Sequence, residues 1–297
     1  MTEEGASPIV PSLMNTVTAQ SSQLLSPIGL VAGNGQFPAE FIENARARGL
    51  EVVVLALNGE ADPSLAAHAR SMTWVGVGQL GKIIKVLKRE GCRQVAFVGG
   101  VRRVNFVDGF KIDWVGLRML SRLRSFNDDS ILRGIIHSME SRGVEVIAAS
   151  LLLEKSIAHA GLLTHQPLSA QDIADAKIGW EAARAIGDLD IGQSVIVRNK
   201  TIIAVEAVEG TDATIKRAAL VKGHGGVLIK LAKSIQDLRI DMPAIGVNTI
   251  TQMKESRLTA LIVEARKTLI VDPQAVLKAA AEAGIALYAA EHLSDLG

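Results

Sequence analysis

Residues 232 to 246, AKSIQDLRIDMPAIG, thread Asp237, Arg239 and Asp241 through alternate positions with Leu238, Ile240 and Met242 between them. Read as an extended strand, the segment places its three charges on one face and its apolar residues on the other. Pro243 and Gly246 then end it. An amphipathic strand with one wet face accounts for the pattern as well as a catalytic face does. A second cluster, AVEAVEGTDA, crowds Glu206, Glu209 and Asp212 where a strand gives way to a helix. Three carboxylates at such a junction repel one another unless a cation or an arginine lies among them. An oxygen-only set suits Mg²⁺ or Mn²⁺ better than zinc. Capping of the helix by Thr211 or Asp212 is the competing explanation, and it leaves Glu206 unexplained.

Anion binding has its own candidates. Gly33 and Gly35, with Asn34 between them, sit where the first strand turns into the first helix, a place that favours a phosphate. The third glycine of a dinucleotide fingerprint is missing, since Pro38 stands near its place. Gly99 and Gly100, followed by Arg102 and Arg103, repeat the theme at a later strand end. The competing readings are a tight turn without ligand and salt-bridged surface arginines. Phe106, Phe110, Trp114, Leu117 and Leu120 recur at helical spacing beside Arg118, Arg122 and Arg124. Such a stripe reads first as core and second as an acyl-chain or membrane-surface helix. The six histidines show no metal-ligand spacing, and Cys92 at a helix end reads as packing.

These residues need elements to hold them. IGLVAGNGQFPAEFIENARARGLEVVVLAL, residues 28 to 57, reads as strand, glycine turn, helix and strand. The alternation continues through GKIIKVLKREG, QVAFVGGV, SILRGIIHSMESRG and VEVIAAS, which predicts an α/β Rossmann-like parallel sheet over 28–150. Residues 151–169 read as a crossing linker, and a mixed α+β domain follows over 170–297. Its signature is QSVIVRNKTIIAVEAVEG, two β-rich runs joined at RNK as a hairpin. Residues 1–27 carry no Lys or Arg and are read as a disordered tail or a mis-called start rather than a secretory signal.

At 297 residues the chain fits two domains, and 48% hydrophobic content supports sizeable cores. A net charge of +1 and 3% aromatics argue against nucleic acid as a partner. A single cysteine excludes an intrachain disulfide and points to a reducing cytoplasm.

Several motifs in order, IGLVAGNGQFP, VGVGQLGKIIKVLKREG, FVGGVRR, NDDSILR, LDIGQSVIV, AVEAVEGTDATIKR and IKLAKSIQDLRIDMPAIGVNTI, resemble the UDP-2,3-diacylglucosamine pyrophosphatases of the LpxI type. The resemblance runs from about residue 28 to 285. It implies hydrolysis of UDP-2,3-diacylglucosamine to UMP and 2,3-diacylglucosamine 1-phosphate (lipid X) in lipid A synthesis. It also implies dependence on Mg²⁺ or Mn²⁺, a cleft between two domains and a homodimer. The family's essential aspartate, in its R-[apolar]-D-[apolar]-P-x-I-G motif, falls on Asp241. With that assignment Asp241 is expected to hold the metal with help from Glu206, Glu209 or Asp212, and Arg239 and Lys233 are expected to clamp phosphate. On a strand Asp237 and Asp241 would stand about 13 Å apart, so only one would touch the ion. Gly33, Asn34, Gly35, Gly99, Gly100, Arg102, Gln193 and Thr211 are the expected substrate contacts, and the inner-membrane surface is an expected neighbour. Ser234, Ala244 and the GNGQ loop depart from the family's usual residues. A nucleotide-cofactor oxidoreductase and a non-catalytic UDP-sugar sensor are the rival readings.

Overall fold

The structure is a computed structural model and describes residues 23–101, 112–123 and 128–297. The N-terminal unit comprises β1 (Ile28–Ala32), α1 (Phe37–Ala47), β2 (Val52–Leu57), β3 (Ser71–Val75), α2 (Leu80–Arg89), β4 (Gln94–Val98), α3 (Trp114–Leu120), α4 (Asp128–Glu140) and β5 (Glu145–Val146). Its five strands are all parallel, in the order β3-β2-β1-β4-β5. Covered on both faces, such strands lose the polar/apolar alternation, and IGLVA and VVVLAL are buried at every position. α2 packs one stripe, Leu80, Ile83, Ile84 and Leu87, at the i, i+3, i+4, i+7 spacing of a half-buried helix. The expected Rossmann-like unit is therefore present, with its strand order reversing between β1 and β4, where open α/β sheets place ligands.

The C-terminal unit comprises β6 (Gly161–Leu162), α5 (Ala170–Asp188), β7 (Ser194–Arg198), β8 (Thr201–Val205), α6 (Thr211–Ala219), β9 (Val227–Lys230), β10 (Ala244–Ile245), α7 (Val247–Glu255), β11 (Ala260–Glu264), β12 (Leu269–Ile270), α8 (Pro273–Ala283) and β13 (Ala286–Ala290). Its sheet runs β6-β13-β11-β9-β7-β8 and is mixed: β13, β11 and β9 are parallel, and the outer pairings are antiparallel. The expected hairpin at RNK is β7–β8, turning through Asn199 and Lys200, both left-handed at φ 50° and 61°. Two consecutive positive φ values give the turn whose twist matches antiparallel strands. α5 opens with a reciprocal cap in which Ser169 and Asp172 bond each other's backbone N–H.

Three boundaries differ from the sequence reading. Residues 1–22 of the expected tail lie outside the described residues, but residues 23–27 lie against the first sheet. The Leu25 N–H donates to Gln94 Oε1 at 2.8 Å, the Glu51 N–H donates to Ser26 Oγ at 3.1 Å, and Leu24 packs on the core. The segment 151–169 divides between the two units. Leu151, Leu152 and Leu153 pack into the N-terminal core, whereas Ala158 belongs to the C-terminal core and β6 to the second sheet.

The third difference concerns residues 231–246, which form turns rather than a strand until the two residues of β10. Both the Ile240 and the Asp241 N–H donate to the Asp237 carbonyl at 3.1 Å. A run of residues with mixed exposure looks amphipathic at period two in either conformation, and Pro243 favours the irregular one. This segment lies between the two units. Met242 and Ala244 pack on one N-terminal core cluster and Ile240 on the other.

Candidate active site

The register of the second sheet assembles one polar edge. Ser194, which opens β7, pairs with Lys230, which closes β9, and the Glu206 N–H just beyond β8 donates to the Ser194 carbonyl at 2.9 Å. Glu206, Ser194 and Lys230 thus stand side by side on three neighbouring strands, all nearly inaccessible to water. α6 begins above them. Its N-cap is Gly210 at φ 82°, with no capping side chain. The capping explanation for Thr211 and Asp212 is therefore overturned: Thr211 Oγ1 donates to Glu206 Oε2 at 3.0 Å and lies 3.2 Å from Ser194 Oγ, and Asp212 Oδ2 accepts from Asn248 Nδ2 at 2.9 Å.

Lys230, to which no feature of the sequence reading pointed, is the centre of this edge. Its ammonium donates to the Ala244 carbonyl at 2.9 Å. Burial pushes its pKa below the ordinary lysine value, and the charges of Glu206, Asp212 and Asp241 pull it back up. Asp241 joins from the turn segment, half-buried, with Oδ2 accepting from Gln236 Nε2 at 2.5 Å. The signal in the sequence was a lysine closing an otherwise apolar strand, VLIK, since buried lysines are rare without acidic company.

The remaining expected residues spread around this edge. Arg239 is occupied: it grips Asp237 (Nε to Oδ1 3.0 Å, Nη2 to Oδ2 2.7 Å) and reaches Glu140 of α4 at 2.8 Å. Burial pushes Asp237 up, but the hydrogen bonds from Arg239 outweigh it and hold the carboxyl below its ordinary range. On a turn, Asp237 and Asp241 do not hold the 13 Å strand separation. With Arg133 Nη2 donating to the Ile235 carbonyl at 2.5 Å, α4 is bound to the turn segment at two points. Asp129, paired with Arg133 at 2.9 Å, lies nearby and is raised by its burial. Lys233 pairs with Asp190 at 2.5 Å. Gln193 donates no side-chain bond to this edge, but its carbonyl accepts from the Leu231 N–H at 3.0 Å and its buried Oε1 has no partner among the described residues.

Glu209 turns away to Arg217, at 2.9 Å. Among the described residues no group of three or more His, Cys, Asp or Glu side chains is close enough to hold a metal ion. A four-carboxylate cage is thus not what Asp241, Glu206, Glu209 and Asp212 form. Mg²⁺ commonly takes only one or two protein carboxylates together with substrate phosphates.

At the first sheet, Ala32 and Val98 are register partners, so the two glycine turns leave the sheet side by side. The Gly33 N–H donates to Val98, the Asn34 N–H to Gly100 and the Gly100 N–H to Asn34, at 2.8 to 3.0 Å. A Cβ on Gly33 would lie 2.2 Å from the Gly100 carbonyl oxygen, and one on Gly99 (φ +94°) 2.5 Å from that of Asn34. Close approach of two backbones is what these glycines permit. Those three N–H groups are spent on the turns themselves, which removes the main support for a dinucleotide cradle. Gly35 borders open space, and the Asn34 side chain donates to Glu60 at 2.6 Å. Arg102, Arg103, Phe106, Phe110 and Arg124 lie outside the described residues. Of the rest of the aromatic stripe, Trp114 is 75% and Leu117 51% exposed, so the core reading fails for those two.

The LpxI N-terminal domain model matches residues 27–156 and the LpxI C-terminal domain model residues 159–288. A UDP-2,3-diacylglucosamine pyrophosphatase LpxI of Caulobacter vibrioides is 36% identical over 269 residues, covering 87% of this chain and 95% of that one. Among solved structures, gox2253 has a TM-score of 0.30 at 11% identity, covering 88% of this chain and 76% of that one. An ADP complex of N5-carboxyaminoimidazole ribonucleotide synthetase has 0.29 at 14%, covering 66% and 45%. Likenesses this distant carry no argument about the site. Two domain matches that together span residues 27–288, and a relative aligned over 95% of its own length, establish that the chain belongs to the LpxI family.

Proposed function

We propose that the chain hydrolyses the pyrophosphate of UDP-2,3-diacylglucosamine, releasing UMP and lipid X, as a step of lipid A biosynthesis. The observation that carries this reading is the buried Lys230 among Glu206, Asp212 and Asp241, at the strand edge where the segment between the two units brings Asp241 in. The aligned relative's name supplies the substrate.

Cleaving a phosphoric anhydride requires neutralising charge on its oxygens and positioning a water for in-line attack. Asp241 is the group that orients and deprotonates the water, with Gln236 fixing its carboxylate. Glu206 holds Thr211, whose hydroxyl and helix N-terminus face the same edge. Lys233 and Arg239 act as phosphate clamps only by exchanging their present partners, Asp190 and Asp237. A bound Mg²⁺ or Mn²⁺, held by Asp241 with Asp212 or Glu206, would supply further charge neutralisation and acidify a water.

The acyl chains need apolar cover, since each buried methylene is worth about 0.8 kcal/mol. Trp114 and Leu117 on α3, beside the exposed Ile112, offer it. The same surface, with Arg118 and Arg122 exposed on it, suits peripheral contact with the inner membrane from the cytoplasm. Among the described residues no helix is long and apolar enough to cross a membrane. The outer edge of β8 lacks a strand neighbour among the described residues and offers a homodimer contact.

The test is incubation of the purified full chain with UDP-2,3-diacylglucosamine and Mg²⁺ or Mn²⁺, with products identified by mass. UMP and lipid X are expected, and excess EDTA is expected to stop their formation. No turnover would leave the UDP-sugar sensor as the better reading. Full turnover in EDTA after dialysis would remove the metal from the mechanism.

A further inference from the structure

Glu264, which closes β11, keeps only 2% of its side chain exposed, and Arg184 of α5 meets its Oε1 at 2.6 Å. Lys267 reaches the same oxygen at 2.8 Å, and the Arg184 guanidinium lies 5.3 Å from the Trp180 ring centroid, a second contact that limits its movement. A buried ion pair adds little stability over apolar side chains of similar volume, so its presence points to something held in place. What this pair holds is Ala232, just beyond the point where the chain leaves β9. The Ala232 N–H donates to Glu264 Oε2 at 3.2 Å, and the Ala232 carbonyl accepts from Arg184 Nη1 at 3.1 Å. That carbonyl belongs to the same planar peptide as the Lys233 N–H, so aiming one aims the other in the opposite direction. The Lys233 N–H donates to Gln236 Oε1 at 3.1 Å. A backbone N–H can only donate, which turns the oxygen of the Gln236 amide toward Lys233 and its NH₂ toward Asp241, where Nε2 donates to Oδ2 at 2.5 Å. One path of hydrogen bonds and a peptide plane thus joins the buried pair to the Asp241 carboxylate.

Resting on the reading of Asp241 as the group that deprotonates the attacking water, we propose that Arg184 and Glu264 are positioning residues for the pyrophosphatase reaction. The pair aims the Ala232–Lys233 peptide, the peptide aims the Gln236 amide, and the amide aims the Asp241 carboxylate. A carboxylate released from this path keeps its charge, so substrate binding changes little while the share of time spent in the reacting geometry falls. The loss therefore appears in kcat and not in KM. The two ends of the path act as one unit, and breaking it twice does no more than breaking it once. A pair that only stabilised the fold would lower the unfolding midpoint and leave the kcat of the folded protein unchanged.

The experiment uses the full chain as wild type, Gln236→Met, Glu264→Gln and the double variant, with circular dichroism and urea midpoints to establish folding. Product formation from UDP-2,3-diacylglucosamine gives kcat and KM, and mass spectrometry follows amide exchange of the peptide covering residues 232–241. Gln236→Met is expected to lose about 30-fold in kcat and Glu264→Gln about 10-fold, each with KM changed less than about 3-fold. The double variant is expected to lose about 30-fold, against the roughly 300-fold of independent effects. Exchange of the 232–241 peptide should be about 10-fold faster in Glu264→Gln than in wild type, as the hold on Ala232 loosens. A Glu264→Gln kcat within about 3-fold of wild type, multiplicative losses in the double variant, or unchanged exchange would each overturn the proposal. If Glu264→Gln fails to fold, Arg184→Lys takes its place with the same expectations, since it keeps the charge beside Glu264 without the fork that also reaches Ala232. Failure of both to fold assigns the pair to the core and overturns the proposal as well. A wild type without turnover sinks the pyrophosphatase reading instead, and exchange of the 232–241 peptide then decides the relay: faster in Glu264→Gln upholds it, unchanged overturns it.

Discussion

The two sheets end in different materials. At the C-terminal ends of β1 and β4 the first sheet presents backbone: two glycine turns bonded to one another, with side chains excluded by the approach of Gly33 to Gly100. At the matching end of β9 the second sheet presents buried polar side chains, Glu206, Ser194 and Lys230, that satisfy or compensate one another. Backbone edges of this sort can shape a cleft wall but cannot move a proton. On the function proposed above, the contrast puts the chemistry in the second unit and the shaping in the first, with the turn segment 231–246 and α4 binding the two together.

The largest test of that assignment is Asp241→Ala. The group is half-buried on a turn, so its removal should leave the fold intact while lowering kcat about 10²–10³-fold, the range typical for losing one preorganised polar group. Turnover assays alongside circular dichroism read both quantities. A rate close to wild type would return the segment to a structural linker. Gly33→Ala should do the opposite. Its new Cβ would collide with the Gly100 carbonyl, destabilising the protein by about 1–3 kcal/mol in urea unfolding. Gly35→Ala meets no atom within 4 Å and bears only the conformational penalty of φ +94°. Equal losses at the two glycines would mean that the turns do not meet as described.

The legible part of the molecule was the part governed by period. Continuous apolar runs and i, i+3, i+4 stripes gave the parallel unit, and the RNK turn gave the hairpin. Asp241 stood out because the family motif marks it, and Glu206 because a carboxylate among valines and alanines needs company. The strand assigned to residues 232–246 was wrong because alternation over so few residues does not distinguish strand from successive turns, and hydrogen bonds to Asp237 decided for turns. Lys230 is not legible for a different reason. Its partners Glu206, Asp212, Asp241 and Ala244 are 11 to 24 residues away in chain order and meet it only through sheet register and the return of the segment. The glycines were recognised as special, but their neighbour proved to be each other.

A smaller effect separates lipid contact from phosphate chemistry. Trp114, at 75% exposure, should be dispensable for folding. Trp114→Asp is expected to raise KM about 10-fold for the diacylated substrate and to leave a deacylated UDP-glucosamine analogue nearly unaffected, the loss expected for removing one to two methylenes' worth of burial. Equal effects on both substrates would detach α3 from the acyl chains and from the cleft they are proposed to share.

The smallest effect tests how the two units are joined. Asp237 is held below the ordinary carboxylate value of 3.8 by Arg239, which also reaches Glu140 on the other unit. A carboxyl with a depressed folded pKa contributes stability that is fully present above its unfolded value and disappears as pH falls through the folded one. Arg239→Met removes the partner, so wild type should be the more stable protein at pH 7, and the gap should narrow as pH drops below about 4. The gap itself should be under about 1 kcal/mol, because the Arg239 side chain is 39% exposed and water screens much of the pairing. Urea midpoints at pH 7 and pH 3 measure it. A gap that stays constant across that interval would mean that Arg239 stabilises the junction through packing of its aliphatic stem, not through charge. The turn segment would then be held against α4 by shape.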